Sequence, residues 1–126
     1  MSALAGALLV ALGGAVGAPL RYVTDLVVSS LHDTVFPWGT WAVNAVGSLV
    51  LGIVAGLVTA GAPAWLGTLV GTGVCGALTT FSSFGYETVR LAEEGAATAA
   101  ALNVVGSLAA GLLLCAAGFA LGTTVW

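Results

Sequence analysis

A chain of 126 residues that is 60% hydrophobic and only 6% charged cannot clothe a water-soluble surface; soluble domains carry about 25% charged residues. Its two Lys+Arg residues also exclude a nucleic-acid binder of the usual kind, which needs a basic face to meet phosphates. With a mean hydropathy of +1.14, residues 1–126 read as a single integral membrane domain, and the net charge of −3 rests on a handful of loop residues.

The first span is expected over about residues 4–28, enough to cross a hydrocarbon core that needs about 20 residues. No basic region precedes it and it is too long for a signal sequence, so it reads as a retained membrane helix. Gly13 and Gly17 form a small-xxx-small pair that lets another helix approach closely. Arg21 and Tyr22 follow near the far end, where a guanidinium can snorkel to the interface; that anchoring role is the expectation for Arg21. A polar loop with His32 and Asp33 leads to a second span at about 38–60, opened by Trp38 and Trp41. Thr40, Asn44 and Ser48 recur every four residues and share one helical face, which Gly52 and Gly56 extend as a smooth strip. An asparagine at membrane depth needs a partner, so Asn44 either bonds a neighbouring helix or faces water. The short Gly61-Ala62-Pro63 loop makes spans two and three antiparallel neighbours.

The third span, about 64–90, carries the least ordinary stretch: closely spaced glycines, then Thr79, Thr80, Ser82 and Ser83 around Phe81. Glycine costs about 1 kcal/mol against alanine in a helix interior, and hydroxyls compete for backbone hydrogen bonds. The run predicts a helix broken near its middle, tolerated in a bilayer only where protein buries it or a wet cavity receives it. Close helix packing by small residues is the alternative, and composition leaves both open. Glu87 and Arg90 stand three apart, close enough to pair on one face, and a charged loop follows through Glu93 and Glu94. The fourth span, about 96–122, repeats a pattern of the second: Asn44-x-x-Gly47-Ser48-Leu49 matches Asn103-x-x-Gly106-Ser107-Leu108. Polar tracks from two helices could then meet. Cys75 and Cys115 lie in apolar segments without metal-ligand spacing and read as packing residues.

The hydrocarbon region is expected to hold no carboxylate, since Asp25 and Glu87 fall near span ends. A proton-coupled antiporter needs a titratable group there, and the membrane-embedded Glu that small four-helix multidrug exporters carry in their first helix is absent. No nucleophile–base pair, HExxH pattern or phosphate loop points to an enzyme. What remains is a set of neutral donors with Phe81 and Phe84, whose ring edges carry partial positive charge. Such groups can replace part of an anion's hydration without trapping it, as conduction requires. Ordinary core packing of both rings stays open at this point.

Three motifs together resemble the Fluc (CrcB) family of fluoride channels: Gly13-Gly14-x-x-Gly17-Ala18-x-x-Arg21-Tyr22, Gly39-Thr40-x-x-Val43-Asn44-x-x-Gly47-Ser48, and Cys75-Gly76-Ala77-Leu78-Thr79-Thr80-Phe81-Ser82-Ser83-Phe84. The resemblance implies an all-α integral membrane protein of four transmembrane helices, the third broken near its middle, paired as an antiparallel dimer with two pores near the subunit boundary. It implies a structural, untransported sodium ion (Na+) at the dimer centre, held by the backbone carbonyls of Gly76 and Thr79. It maps the fluoride pathway onto Phe81, Phe84, Asn44, Thr40, Ser82 and Ser83, with Ser107 from the fourth helix. Gly13, Gly17 and Arg21 carry over as the structural motif of the first span. Many relatives have a Tyr near the start of the fourth helix's polar face, where this chain has Asn103 and Val104. The implied function is passive fluoride export across the plasma membrane, by a homodimer or by a pair with an oppositely oriented homologue. The positive-inside rule puts the loops near Arg21 and Arg90 in the cytoplasm and both termini outside. A small secondary exporter of organic cations, and a membrane assembly factor that transports nothing, are the competing readings.

Overall fold

The computed structural model describes all 126 residues, Met1–Trp126. The apolar runs become four helical spans long enough to cross a membrane: Ala3–Leu31, Trp38–Thr59, Ala64–Glu93 and Ala97–Val125. The first is α1 (Ala3–Leu31), the second α2 (Trp38–Thr59) and the fourth α6 (Ala97–Val125). α1 starts where the Ser2 hydroxyl accepts the Ala5 N–H at 3.1 Å, an N-cap. It passes its expected end near Val28 because two serines turn inward onto the helix. Ser29 donates to Asp25 Oδ1 at 3.3 Å, and Ser30 to the Val27 carbonyl at 2.7 Å.

Two glycines in the left-handed region close the second span and the third, Gly61 at φ 117° and Gly95 at φ 79°. At the first, Gly61 N–H bonds the Val58 carbonyl and Ala62 N–H reaches back to Leu57; at the second, Gly95 bonds Ala92 and Ala96 bonds Leu91. Both are Schellman closures, which need a residue free of the Cβ penalty at that φ. The third span therefore stops at Gly95 rather than at Arg90, which lies inside the helix.

The third span is not one rod. It runs as α3 (Ala64–Leu66), a π-helical segment (Gly67–Cys75) and α4 (Gly76–Leu78), then breaks and resumes as α5 (Ser82–Glu93). Thr79 is extended, with φ −82° and ψ 156°, so the interruption falls inside the expected stretch. The wide π turns before it were not expected. They coincide with Gly67, Gly71 and Gly73, where helix preference is weakest, and such turns are otherwise rare.

Packing is glycine against backbone. A Cβ on Gly13 would strike the Leu69 carbonyl, and one on Gly17 the Val74 carbonyl, so the small-xxx-small pair of α1 seats the π-helical segment. α2 lies along α6 in the same manner, reciprocally. Added methyls on Gly52 and Gly56 would meet the carbonyls of Cys115 and Phe119, while those on Gly118 and Gly122 would meet Leu49 and Ile53. The Gly52–Gly56 strip is thus the bed of α6. Val43, Val54, Leu78 and Leu91 form the sparse core, and Leu4, Leu8, Leu12, Leu112 and Leu113 face outward as a lipid-compatible surface.

Candidate functional site

The break exposes backbone groups that a continuous helix would have paired, and a membrane interior leaves no water to take them. One side chain resolves most of this. Asn44 of α2 accepts the Thr80 N–H through Oδ1 at 2.7 Å and donates Nδ2–H to the Thr80 carbonyl at 2.9 Å. Thr79 keeps its N–H on the Cys75 carbonyl at 3.0 Å, and its hydroxyl adds a second bond there at 2.9 Å. The Thr80 hydroxyl accepts Ser83 N–H at 3.2 Å and so caps the start of α5. Arg21 of α1 donates to the Thr79 carbonyl at 3.4 Å. The guanidinium therefore turns to the interruption rather than anchoring at the membrane surface, because the extended Thr79 presents a carbonyl no helix consumes.

The negative end of α4 and the positive end of α5 meet at this point. Converging half-helix ends and unwound carbonyls are the means by which membrane proteins bind small ions. In an unbroken helix Thr80 N–H would bond the Gly76 carbonyl; Asn44 takes that N–H instead. Gly76 is exposed, and a Cβ there would meet nothing within 4 Å. The Gly76 and Thr79 carbonyls thus suit a hard cation in chemistry and access. The second lone pair of the Thr79 oxygen is free of Arg21, although that guanidinium opposes a cation beside it. No cluster of His, Cys, Asp or Glu offers a rival metal site. Two carbonyls from one chain do not complete a coordination shell.

Three cavities run in series past the break. The first, about 330 Å³, is lined by Asn44, Ser48, Thr80, Phe81, Phe84 and Ser107 among others, and by no charged residue. The polar tracks of α2 and α6 meet there. Its two rings stand 5.8 Å apart, tilted by 48°; Phe84 is half-buried, and Phe81 is 82% exposed. The second cavity, also about 330 Å³, shares Thr80 with the first and is lined by Arg21, Asp25, Thr40, Ser82 and Ser83. The third, about 340 Å³, shares Asp25 and Ser83 with the second and opens at the loop end among His32, Glu87 and Arg90. The expected pathway residues therefore divide: Asn44, Phe81, Phe84 and Ser107 stand at the first cavity, Thr40, Ser82 and Ser83 at the second. Thr40, only 6% exposed, donates to Glu87 Oε1 at 2.6 Å. The spacing of Glu87 and Arg90 would allow the two to pair; Glu87 turns inward to α2 instead.

Sequence reasoning passed over Thr80, Glu87 and Thr88 as members of the site. Thr80 is the residue around which the break is closed, and its signal was its place at the centre of the hydroxyl run. Thr88 donates to the Phe84 carbonyl at 2.7 Å and accepts from Asn103 at 2.8 Å. The signal for that contact was the repeated Asn-x-x-Gly-Ser pattern, which put Asn103 on an inward face.

Four apolar spans, one of them opened near its middle around neutral donors, define a multi-pass membrane protein. The family model described as CrcB-like protein, Camphor Resistance (CrcB), matches residues 8–119. The chain belongs to this family. A Frankia casuarinae protein named Fluoride-specific ion channel FluC 1 is 58% identical over 125 residues, covering 94% of this chain and 97% of its own. A Streptomyces avermitilis protein of the same name is 55% identical over 120 residues, covering 94% and 97%. Fluoride-specific ion channel FluC 2 of Natronomonas pharaonis is 49% identical over 123 residues, covering 98% and 99%.

Proposed function

We propose that the chain forms a fluoride-selective channel, a passive route by which cytoplasmic fluoride leaves the cell and its toxicity is limited. The observation that carries this reading is the first cavity: neutral donors and two phenylalanines beside an interrupted helix, with no fixed charge. A small anion loses much of its hydration on entering such a space. Amide and hydroxyl hydrogens and the positive rims of the rings replace part of that shell, weakly enough for the ion to depart. A lysine at the same depth would hold it. The names of the relatives agree with the assignment.

The active unit is an antiparallel dimer, with itself or with an oppositely oriented homologue. Support comes from the exposure of Phe81 and Gly76 on a single chain, at the place where the polar path would need a wall. A sodium ion bound by the Gly76 and Thr79 carbonyls of both subunits locks the two together, and the orphaned Gly76 carbonyl supports that assignment. The ion supplies positive charge to unpaired oxygens; the chain's own contribution is the break that frees them. Fluoride efflux from liposomes containing the purified protein, measured beside chloride, tests the function. Rapid fluoride release with chloride retained is expected; equal or absent release rejects it.

A further inference from the structure

Asn103 is the most deeply buried polar side chain, at 0% exposure, and the proposed function gives it no task. Its surroundings form a continuous chain of hydrogen bonds from the first cavity to α5. Ser107, which lines the cavity, donates to Asn103 Oδ1 at 3.3 Å. Asn103 Nδ2 donates to Thr88 Oγ1 at 2.8 Å, and Thr88 donates to the Phe84 carbonyl at 2.7 Å. The matching motif in α2 is wired differently. There Ser48 bonds the backbone carbonyl of Asn44 at 2.7 Å, and the Asn44 amide is committed to Thr80. Only in α6 does the direction of the serine hydroxyl depend on a side-chain amide.

As the chain of bonds stands, Ser107 turns lone pairs to the cavity, the wrong polarity for an anion. We propose that Asn103 is a positioning residue whose amide reverses to make Ser107 a donor, an inference that rests on the fluoride-channel reading. In the reversed arrangement Ser107 gives its O–H to the anion and accepts from Asn103 Nδ2. Thr88 swings its O–H from the Phe84 carbonyl to Asn103 Oδ1, while the Phe84 carbonyl keeps its place in the α5 ladder. Both arrangements satisfy the amide oxygen, the serine and the threonine, so reversal strands no buried group. The Ser107–Asn103 bond is the weak link, because hydroxyl bonds to oxygen favour 2.7–2.8 Å. A charged acceptor in the cavity outcompetes it. Once reversed, the three bonds polarise one another in the sense that strengthens the donor facing the anion.

Thr88 is the position at which to test this, since Val keeps its shape and removes the hydroxyl that accepts from the amide in one arrangement and donates to it in the other, so the relay loses its far end. In liposomes, Thr88→Val is expected to slow fluoride efflux roughly two- to tenfold, the span one net hydrogen bond covers, and Thr88→Ser to restore most of the rate. Ser107→Ala slows efflux, and adding Thr88→Val to it slows efflux no further, because the threonine acts through the serine. A Thr88→Val rate equal to wild type, a Ser107→Ala rate equal to wild type, or a double variant whose losses multiply overturns the relay. Wild-type protein that passes no fluoride rejects the channel reading itself, so the two failures are distinguishable.

Discussion

Replacing Asn44 by Ala should be among the most damaging small changes in the chain, although it removes only an amide. The substitution strands the Thr80 N–H and carbonyl, which the amide holds at 2.7 and 2.9 Å. A buried polar group left without a partner costs about 1–3 kcal/mol, so two give a loss of roughly 2–6 kcal/mol. Partial access to the neighbouring cavity places the expected value at the lower end, about 2–3 kcal/mol. Ser48→Ala is the internal control. It is one turn away and lines the same cavity, but its hydroxyl only back-bonds to the Asn44 carbonyl. Such a bond inside a helix is neutral to slightly unfavourable, so its removal should change stability by less than about 0.5 kcal/mol. Reversible unfolding in detergent micelles compares the two variants directly. If Asn44→Ala loses no more stability than Ser48→Ala, the amide is not what holds the interruption, and the reasoning about backbone pairing is wrong.

Phe81→Ile and Phe84→Ile should each cut fluoride flux in liposomes while leaving the proposed dimer intact on gel filtration; unchanged rates for both would mean that the rings only pack. Exchanging sodium for a large organic cation should weaken activity if the proposed ion is bound, and indifference to that exchange removes the ion from the account. Gly118→Val drives a branched side chain into the Leu49 carbonyl across the α2–α6 seam. It should destabilise the fold by about 1–3 kcal/mol, whereas Gly6→Val, at a position inside α1 with nothing within 4 Å, should leave stability unchanged or raise it by a few tenths of a kcal/mol, since valine suits a helix better than glycine. Similar unfolding midpoints for the two would contradict the packing described here.

The spans and the interruption were legible because they rest on composition and local preference. Apolar runs of membrane length, and a hydroxyl cluster behind closely spaced glycines, have few ways to be satisfied in lipid. Helix ends were legible only to a few residues. Ser29 and Ser30 read as loop residues until their hydroxyls are seen folded back on α1, and Gly95 rather than Arg90 ends α5 because a left-handed closure outweighs a charge. Side-chain partners were the hidden part. Arg21 looked like a surface anchor because the carbonyl that holds it, Thr79, lies 58 residues further on and is free only once the chain has broken. Glu87 looked like a mate for Arg90 because helical spacing is visible in sequence and the approach of Thr40 from α2 is not. The motif repeated in α2 and α6 was visible, yet the two asparagines serve different neighbours, since α2 passes the break and α6 passes α5.

The reversal potential of the reconstituted protein in a planar bilayer tests the central claim most directly. Under a fluoride gradient with chloride and pH balanced, a passive fluoride-selective path predicts a shift of about 59 mV per tenfold gradient, the value for one charge. It predicts no shift when chloride alone is varied. A potential that follows the proton gradient, or one that answers equally to both halides, contradicts the account.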